Sequence, residues 1–149
     1  KRGYDWVVFD SVSAIAGLLK VHMEEKGITG FDFWRDYEKL IGGIMASTRD
    51  TNRFNSLSLY EVTDKENESG LMEKRFGLQG SLMSKAPYFY DFILATKKIN
   101  GTKDKPDQYV LQTGNKNGYN MLGGRGVKLN EYEPSNINHI VKKLQKGSK

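Results

Sequence analysis

The sequence predicts an α/β fold, and three observations carry that prediction. A continuous apolar run, Trp6-Val7-Val8-Phe9, reads as a strand covered on both faces. Two segments with apolar residues at three- and four-residue steps follow it directly, which is helical spacing. Beyond them, short β-rich runs alternate with turns rich in Gly, Asp, Asn and Pro, and an amphipathic stretch comes last. With 149 residues, 38% of them hydrophobic and 28% charged, the chain reads as one ordinary domain able to bury a core.

The first strand spans Tyr4–Phe9 and runs into Asp10. Ser13 can cap a helix from Ala14 to about Lys26, which Gly27 stops. Ile15, Leu18, Leu19 and Met23 mark its buried stripe, and His22 lies on the same side as a packing residue. A second helix runs from Phe31 or Asp32 to about Arg49, with Phe33, Trp34, Tyr37, Leu40, Ile41, Ile44 and Met45 as its core stripe. Gly42-Gly43 weakens this helix and lets a neighbour come close.

"SLSLYEVT", Ser56–Thr63, reads as a second strand, and Asp64–Gly80 as a polar, glycine-punctuated loop. A short helix around Ser81–Lys85 precedes a third strand in "YFYDFILATKK", centred on Phe92, Ile93 and Leu94. The turn Asn100–Asp107 leads to a fourth strand, "QYVLQT", which can pair antiparallel with the third. After the glycine-rich "GNKNGYNMLGGRG", Pro134 opens a last helix with Ile137, Ile140, Val141 and Leu144 on one face. The chain has no internal repeat and no interior linker.

Composition removes several function classes. No stretch approaches the roughly 18–20 apolar residues of a membrane helix. The absence of cysteine excludes disulfides and thiolate metal sites and fits an intracellular, cytoplasmic protein. Two histidines rule out a histidine-rich metal site. The net charge of +5 is unevenly placed: residues 1–75 carry 11 Lys/Arg against 13 Asp/Glu, and residues 76–149 carry 12 against 5. A second half at +7 suits phosphate or nucleic acid as partner, or simply a soluble lysine-rich surface.

Asp10 is the residue that points to chemistry. Ligands of open α/β sheets bind beyond the carboxyl ends of the strands. A carboxylate there suits Mg²⁺ held against the β- and γ-phosphates of a nucleotide. A turn or helix-cap role is the plainer reading of the same residue.

"WVVFDSVSAIAGLLK" resembles the Walker B strand and following helix of RecA-like P-loop ATPases. In order, "SLSLYEVT", "GLQGSLMSKAPYFYDFILATKK", "YVLQT", "GGRG" and "EPSNINHIVKKL" are similar to segments of the phage-encoded AAA-domain members of that group, associated with recombination and single-strand annealing. The resemblance covers nearly the whole chain. It implies a RecA-like core, mostly parallel and flanked by helices, with a C-terminal antiparallel strand pair. It also implies an ATPase acting on single-stranded DNA in recombination or replication, assembled as a homo-oligomeric ring or filament.

On that resemblance Asp10 holds Mg²⁺ through water, with Ser11 beside it at the ATP site. Thr63 senses the γ-phosphate, or is a strand-end threonine chosen for β-propensity. The loop Asp64–Gly80 faces DNA, with Lys74 and Arg75 on phosphates and Phe76 as a stacking surface; a solvated charged turn is the other reading. Arg125, set among Gly123, Gly124 and Gly126, approaches a nucleotide in cis or in trans, or is an arginine in a glycine turn. Asp91 matches the family's aromatic-Asp position.

One part of the family pattern is missing. The chain contains no G-x-x-x-x-G-K-[ST] motif, and "GGRGVK" has the wrong spacing for a phosphate cradle. Its first residue is Lys1, so the chain reads as the later part of such a core without its P-loop, and alone it is expected not to hydrolyse ATP. A non-enzymatic nucleic-acid-binding or assembly module with a degenerate NTPase fold is the alternative, and a purely structural α/β protein is a third possibility.

Overall fold

The computed structural model describes residues 6–49, 54–124 and 126–147. Tyr4, read as the start of the first strand, and Arg125 lie outside the described residues. The chain divides into two compact units, one within Lys1–Tyr90 and one within Asp91–Lys149.

The first unit opens with strand β1 (Trp6–Phe9), helix α1 (Val12–Glu25), helix α2 (Gly30–Arg49) and strand β2 (Asn55–Ser58). β1 and β2 pair in parallel, from Trp6 opposite Asn55 to Phe9 opposite Ser58. Parallel neighbours need a crossover rather than a tight turn, and the two helices supply it. Ser11, not Ser13, caps α1: its backbone is extended and its Oγ accepts the Ala14 N–H at 3.1 Å. The helix therefore starts two residues earlier than the sequence predicts, and its buried residues are Val12, Ser13, Ala16 and Met23. Leu18, expected in the buried stripe, lies on the outer side at 73% exposure, and His22 is exposed too. Gly27, at φ +70°, ends α1, with the Ile28 N–H reaching back to the Met23 carbonyl at 3.0 Å.

α2 supplies most of the first core. Phe33, Tyr37, Ile41 and Met45 recur at four-residue steps and are all buried, while Trp34 and Leu40 stay on the outer side. Burying each of these large side chains contributes about 1.5–3 kcal/mol. The Phe33 and Tyr37 rings stack with centroids 6.2 Å apart, and Trp34 meets Tyr37 edge-on at 6.0 Å. A Cβ on Gly42 would stand at ordinary van der Waals distance from Leu82.

The predicted strand Ser56–Thr63 breaks after Ser58, and the predicted loop Asp64–Gly80 contains regular structure. Strands β3 (Val62–Glu66) and β4 (Met72–Phe76) form an antiparallel hairpin. Asn67 closes its turn, its Oδ1 accepting the Ser69 and Leu71 N–H groups at 2.9 and 3.0 Å. Phe76, Leu78, Leu82 and Ala86 carry the chain back into the core through a short helix, α3 (Leu82–Lys85), and a 3₁₀ turn (Ala86–Phe89).

The second unit contains β5 (Phe92–Ile93), β6 (Ala95–Ile99), β7 (Gln108–Gln112), β8 (Gly123–Gly124), β9 (Tyr132–Pro134) and helix α4 (Ile137–Gly147). β5 pairs with β8, and β6, β7 and β9 form a three-stranded sheet in that order; every pairing is antiparallel. A Cβ on Gly124 would overlap the Phe92 ring, so this crossing requires glycine. Pro134, read as the start of the last helix, instead pairs with Val110 at the sheet edge, where a missing N–H is tolerated. α4 begins after Asn136, whose Oδ1 accepts the Asn138 N–H at 3.0 Å.

Polar side chains hold much of this unit. Gln112 is fully buried, donating to the Gly114 and Lys116 carbonyls at 2.9 Å each and accepting from Asn117 at 3.0 Å. Glu133, 1% exposed, accepts from the Asn130 N–H at 2.7 Å and from Lys143 at 2.7 and 2.8 Å, and His139 Nε2 lies 3.1 Å away.

The mostly parallel RecA-like sheet that the resemblance implies is overturned. Among the described residues β1–β2 is the one parallel pairing, and every other strand pairs antiparallel. The reason lies in the connections: only β1 and β2 are separated by helices long enough for a crossover, whereas the hairpins close through turns. Among the described residues no helix is long and apolar enough to cross a membrane.

Candidate functional site

Of the polar residues that the sequence singles out, Asp10 and Ser11 lie at the carboxyl end of the parallel pair. Asp10 follows β1 directly and is exposed. Phe9 and Leu59 lock the strand ends together: the Leu59 N–H donates to the Phe9 carbonyl, and the Val12 N–H to the Leu59 carbonyl, both at 2.9 Å. The Asp10–Ser11 peptide bond is cis. Ser11 is committed to capping α1 through its acceptor, which leaves its proton available to donate.

Two residues further, Ser13 is 8% exposed, and its Oγ accepts the Glu61 N–H at 3.1 Å. The Gly77 N–H donates to the Glu61 carbonyl at 2.7 Å, and a Cβ at Gly77 would stand 3.1 Å from Glu61 Cβ and 3.2 Å from Ser13 Oγ. The chain leaving β2 is thus pinned between the start of α1 and the end of the hairpin.

A single exposed carboxylate beside a hydroxyl is a hard-oxygen donor set. Magnesium is commonly held by one or two carboxylates, with water and phosphate filling its remaining positions. Among the described residues no group of three or more His, Cys, Asp or Glu is arranged to hold a metal ion. One carboxylate and one hydroxyl can contribute to a magnesium ion whose other positions are filled by phosphate and water.

Thr63 lies in β3, exposed and opposite Arg75 in the hairpin register, rather than at the end of a strand beside β1. Lys74 Nζ meets Asp64 Oδ1 at 2.8 Å, and Arg75 is ion-paired with Glu73. Phe76 is 6% exposed and packs on Tyr60, with ring centroids 4.5 Å apart, so its faces are not offered to a base. The hairpin Val62–Phe76 holds four carboxylates against three cations, which disfavours it as a polyanion surface. Asp91 is exposed at the start of the second unit.

Behind the hairpin, Tyr60 and Tyr90 hydrogen-bond through their hydroxyls. Burial raises both hydroxyls above the ordinary tyrosine value. On its other side the hairpin borders a cavity of about 440 Å³ whose wall includes Lys65, Glu73, Arg75, Met83 and Ser84. Sequence reasoning missed this hollow because it read the hairpin as loop. The available signal was the complementary charge of Asp64-Lys65 and Glu73-Lys74, which face each other across the register.

No family model, curated protein or solved structure matches this chain.

Proposed function

We propose that this chain belongs to a magnesium- and ATP-dependent protein that acts on single-stranded DNA. The observation that carries the reading is the exposed Asp10 at the carboxyl end of β1, in a parallel pair whose crossover is helical. Magnesium, when bound, supplies positive charge against the phosphates of the nucleotide. Asp10 orients the metal's waters, and Ser11 fixes the turn that presents Asp10 while keeping a proton to donate. The sequence contains no G-x-x-x-x-G-K-[ST] motif, so on this reading the triphosphate is held by other groups, between subunits of a homo-oligomer. An intracellular, cytoplasmic setting suits both partners.

The test uses the complete natural protein that carries these residues. Magnesium-dependent ATP hydrolysis is expected, and Asp10→Asn should lower kcat by about 10²-fold or more while DNA binding persists. Unchanged turnover in Asp10→Asn would refute the assignment. Residues 1–149 alone should show no turnover above background.

A second reading, a nucleic-acid-binding or assembly module without catalysis, is favoured by the charge of the second unit. Residues 91–149 carry 11 Lys/Arg against 5 Asp/Glu, and Asp107, Glu131 and Glu133 are each already paired with a lysine. This reading expects salt-dependent DNA binding without nucleotide and no effect of Asp10→Asn on any activity.

A further inference from the structure

The hairpin that the sequence assigns to DNA has its aromatic buried and more acids than bases, but a second ribbon in the molecule has the opposite character. Every residue from Lys98 to Tyr109 is exposed along the β6–β7 ribbon and its turn. Tyr109 is 66% exposed and stands directly opposite Lys98. Opposite residues of an antiparallel pair share a face, so Tyr109 and Lys98 emerge on the same side of the ribbon.

The tip is shaped from within. Asp107 Oδ1 accepts the Gly101 N–H at 2.8 Å, and Thr102 and Lys105 exchange backbone hydrogen bonds at 2.9 and 3.1 Å. A Cβ on Gly101 would overlap the Lys105 carbonyl oxygen, so the turn needs glycine there. This geometry presents Lys103 and Lys105 at the end of the ribbon, and neither is in an ion pair among the described residues. Lys98 meets Asp107 Oδ2 at 2.5 Å, but both side chains are nearly half exposed, and such a pair exchanges readily for a phosphate.

We propose that the β6–β7 ribbon is a binding platform for single-stranded nucleic acid, with Tyr109 stacking on a base and Lys98, Lys103 and Lys105 contacting phosphates. An exposed ring flanked by cations matches a strand whose bases are unpaired, because each base then offers a π-face while its phosphate lies within lysine reach. An acidic peptide would use the lysines but leave the ring idle. The proposal rests on the nucleic-acid part of the function above and names where contact is made.

The test measures fluorescence anisotropy of a labelled oligo-dT titrated with the 149-residue chain at two salt concentrations, circular dichroism verifying that each variant is folded. Tyr109→Ala should weaken binding about 5- to 100-fold, and Tyr109→Phe should restore it. Lys103→Glu with Lys105→Glu should weaken binding and flatten the log–log salt dependence by roughly 1.4, two contacts at ~0.7 each. If oligo-dT binds but these variants bind like wild type, the ribbon is not the contact, although the DNA reading survives. If wild type fails to bind oligo-dT even at low salt, ribbon and reading fall together. Heparin or anionic vesicles binding as tightly as oligo-dT, with Tyr109→Ala unaffected, would also overturn the proposal by reducing the ribbon to a charged surface.

Discussion

Replacing Lys143 by methionine would strip the buried Glu133 carboxylate of its two short contacts, at 2.7 and 2.8 Å, while keeping a side chain of similar length. Breaking one partner out of a buried ion pair costs about 3–5 kcal/mol. Here the Lys143 side chain is 30% exposed, and the Asn130 N–H and His139 remain on the carboxylate, so about 2–3 kcal/mol is expected. For a unit of this size that amounts to a fall of about 8–24 °C in midpoint. Burial pulls the Glu133 carboxyl up, but Lys143, the Asn130 N–H and His139 together outweigh it and hold the group below the usual carboxylate range. A depressed folded value means that the stabilisation is present above the unfolded value near ~4.3 and is lost as pH falls through the folded one. The deficit of Lys143→Met should therefore be full at neutral pH and shrink in acid, where both proteins carry a protonated Glu133. Urea unfolding followed through the β7 and β9 amide NMR signals reads this directly. A deficit within ~0.5 kcal/mol of zero at neutral pH, or one of unchanged size in acid, would refute the reasoning.

Two further outcomes test the packing. Ile41→Ala, at a fully buried position on α2, should cost about 2–5 kcal/mol in urea melts, whereas Leu18→Ala on the exposed side of α1 should stay within ~0.5 kcal/mol. Gln112→Leu removes two donors and an acceptor from the segment Gly114–Asn117; limited proteolysis there should accelerate, and a loss under ~0.5 kcal/mol would count against that role.

The parts of the fold legible in the sequence are those where burial imposes a period. α2 could be read because Phe33, Tyr37, Ile41 and Met45 must share one side. α1 was harder. Its buried side carries the small residues Ser13 and Ala16 beside Val12 and Met23, so hydropathy favours the larger Leu18, which faces outward. The hairpin was invisible to hydropathy because both its strands are mostly charged, and its order comes from cross-strand pairing and the Asn67 turn. The parallel-sheet expectation failed for a related reason. An apolar strand such as β1 announces burial but does not say how many neighbours will flank it. At the candidate site the sequence located Asp10, while the enclosure of Phe76 depended on Tyr60, sixteen positions away and recruited only by the fold.

The placement of tryptophan has a practical use. The chain has two, Trp6 on β1 and Trp34 on α2, and both belong to the unit that ends at Tyr90. Excitation at the red edge of the aromatic band therefore reports that unit alone, while the other is spectroscopically silent except through its tyrosines. Emission from the native chain, set beside a backbone signal from the whole molecule, makes an internal clock for whether the two halves melt in one event or in sequence.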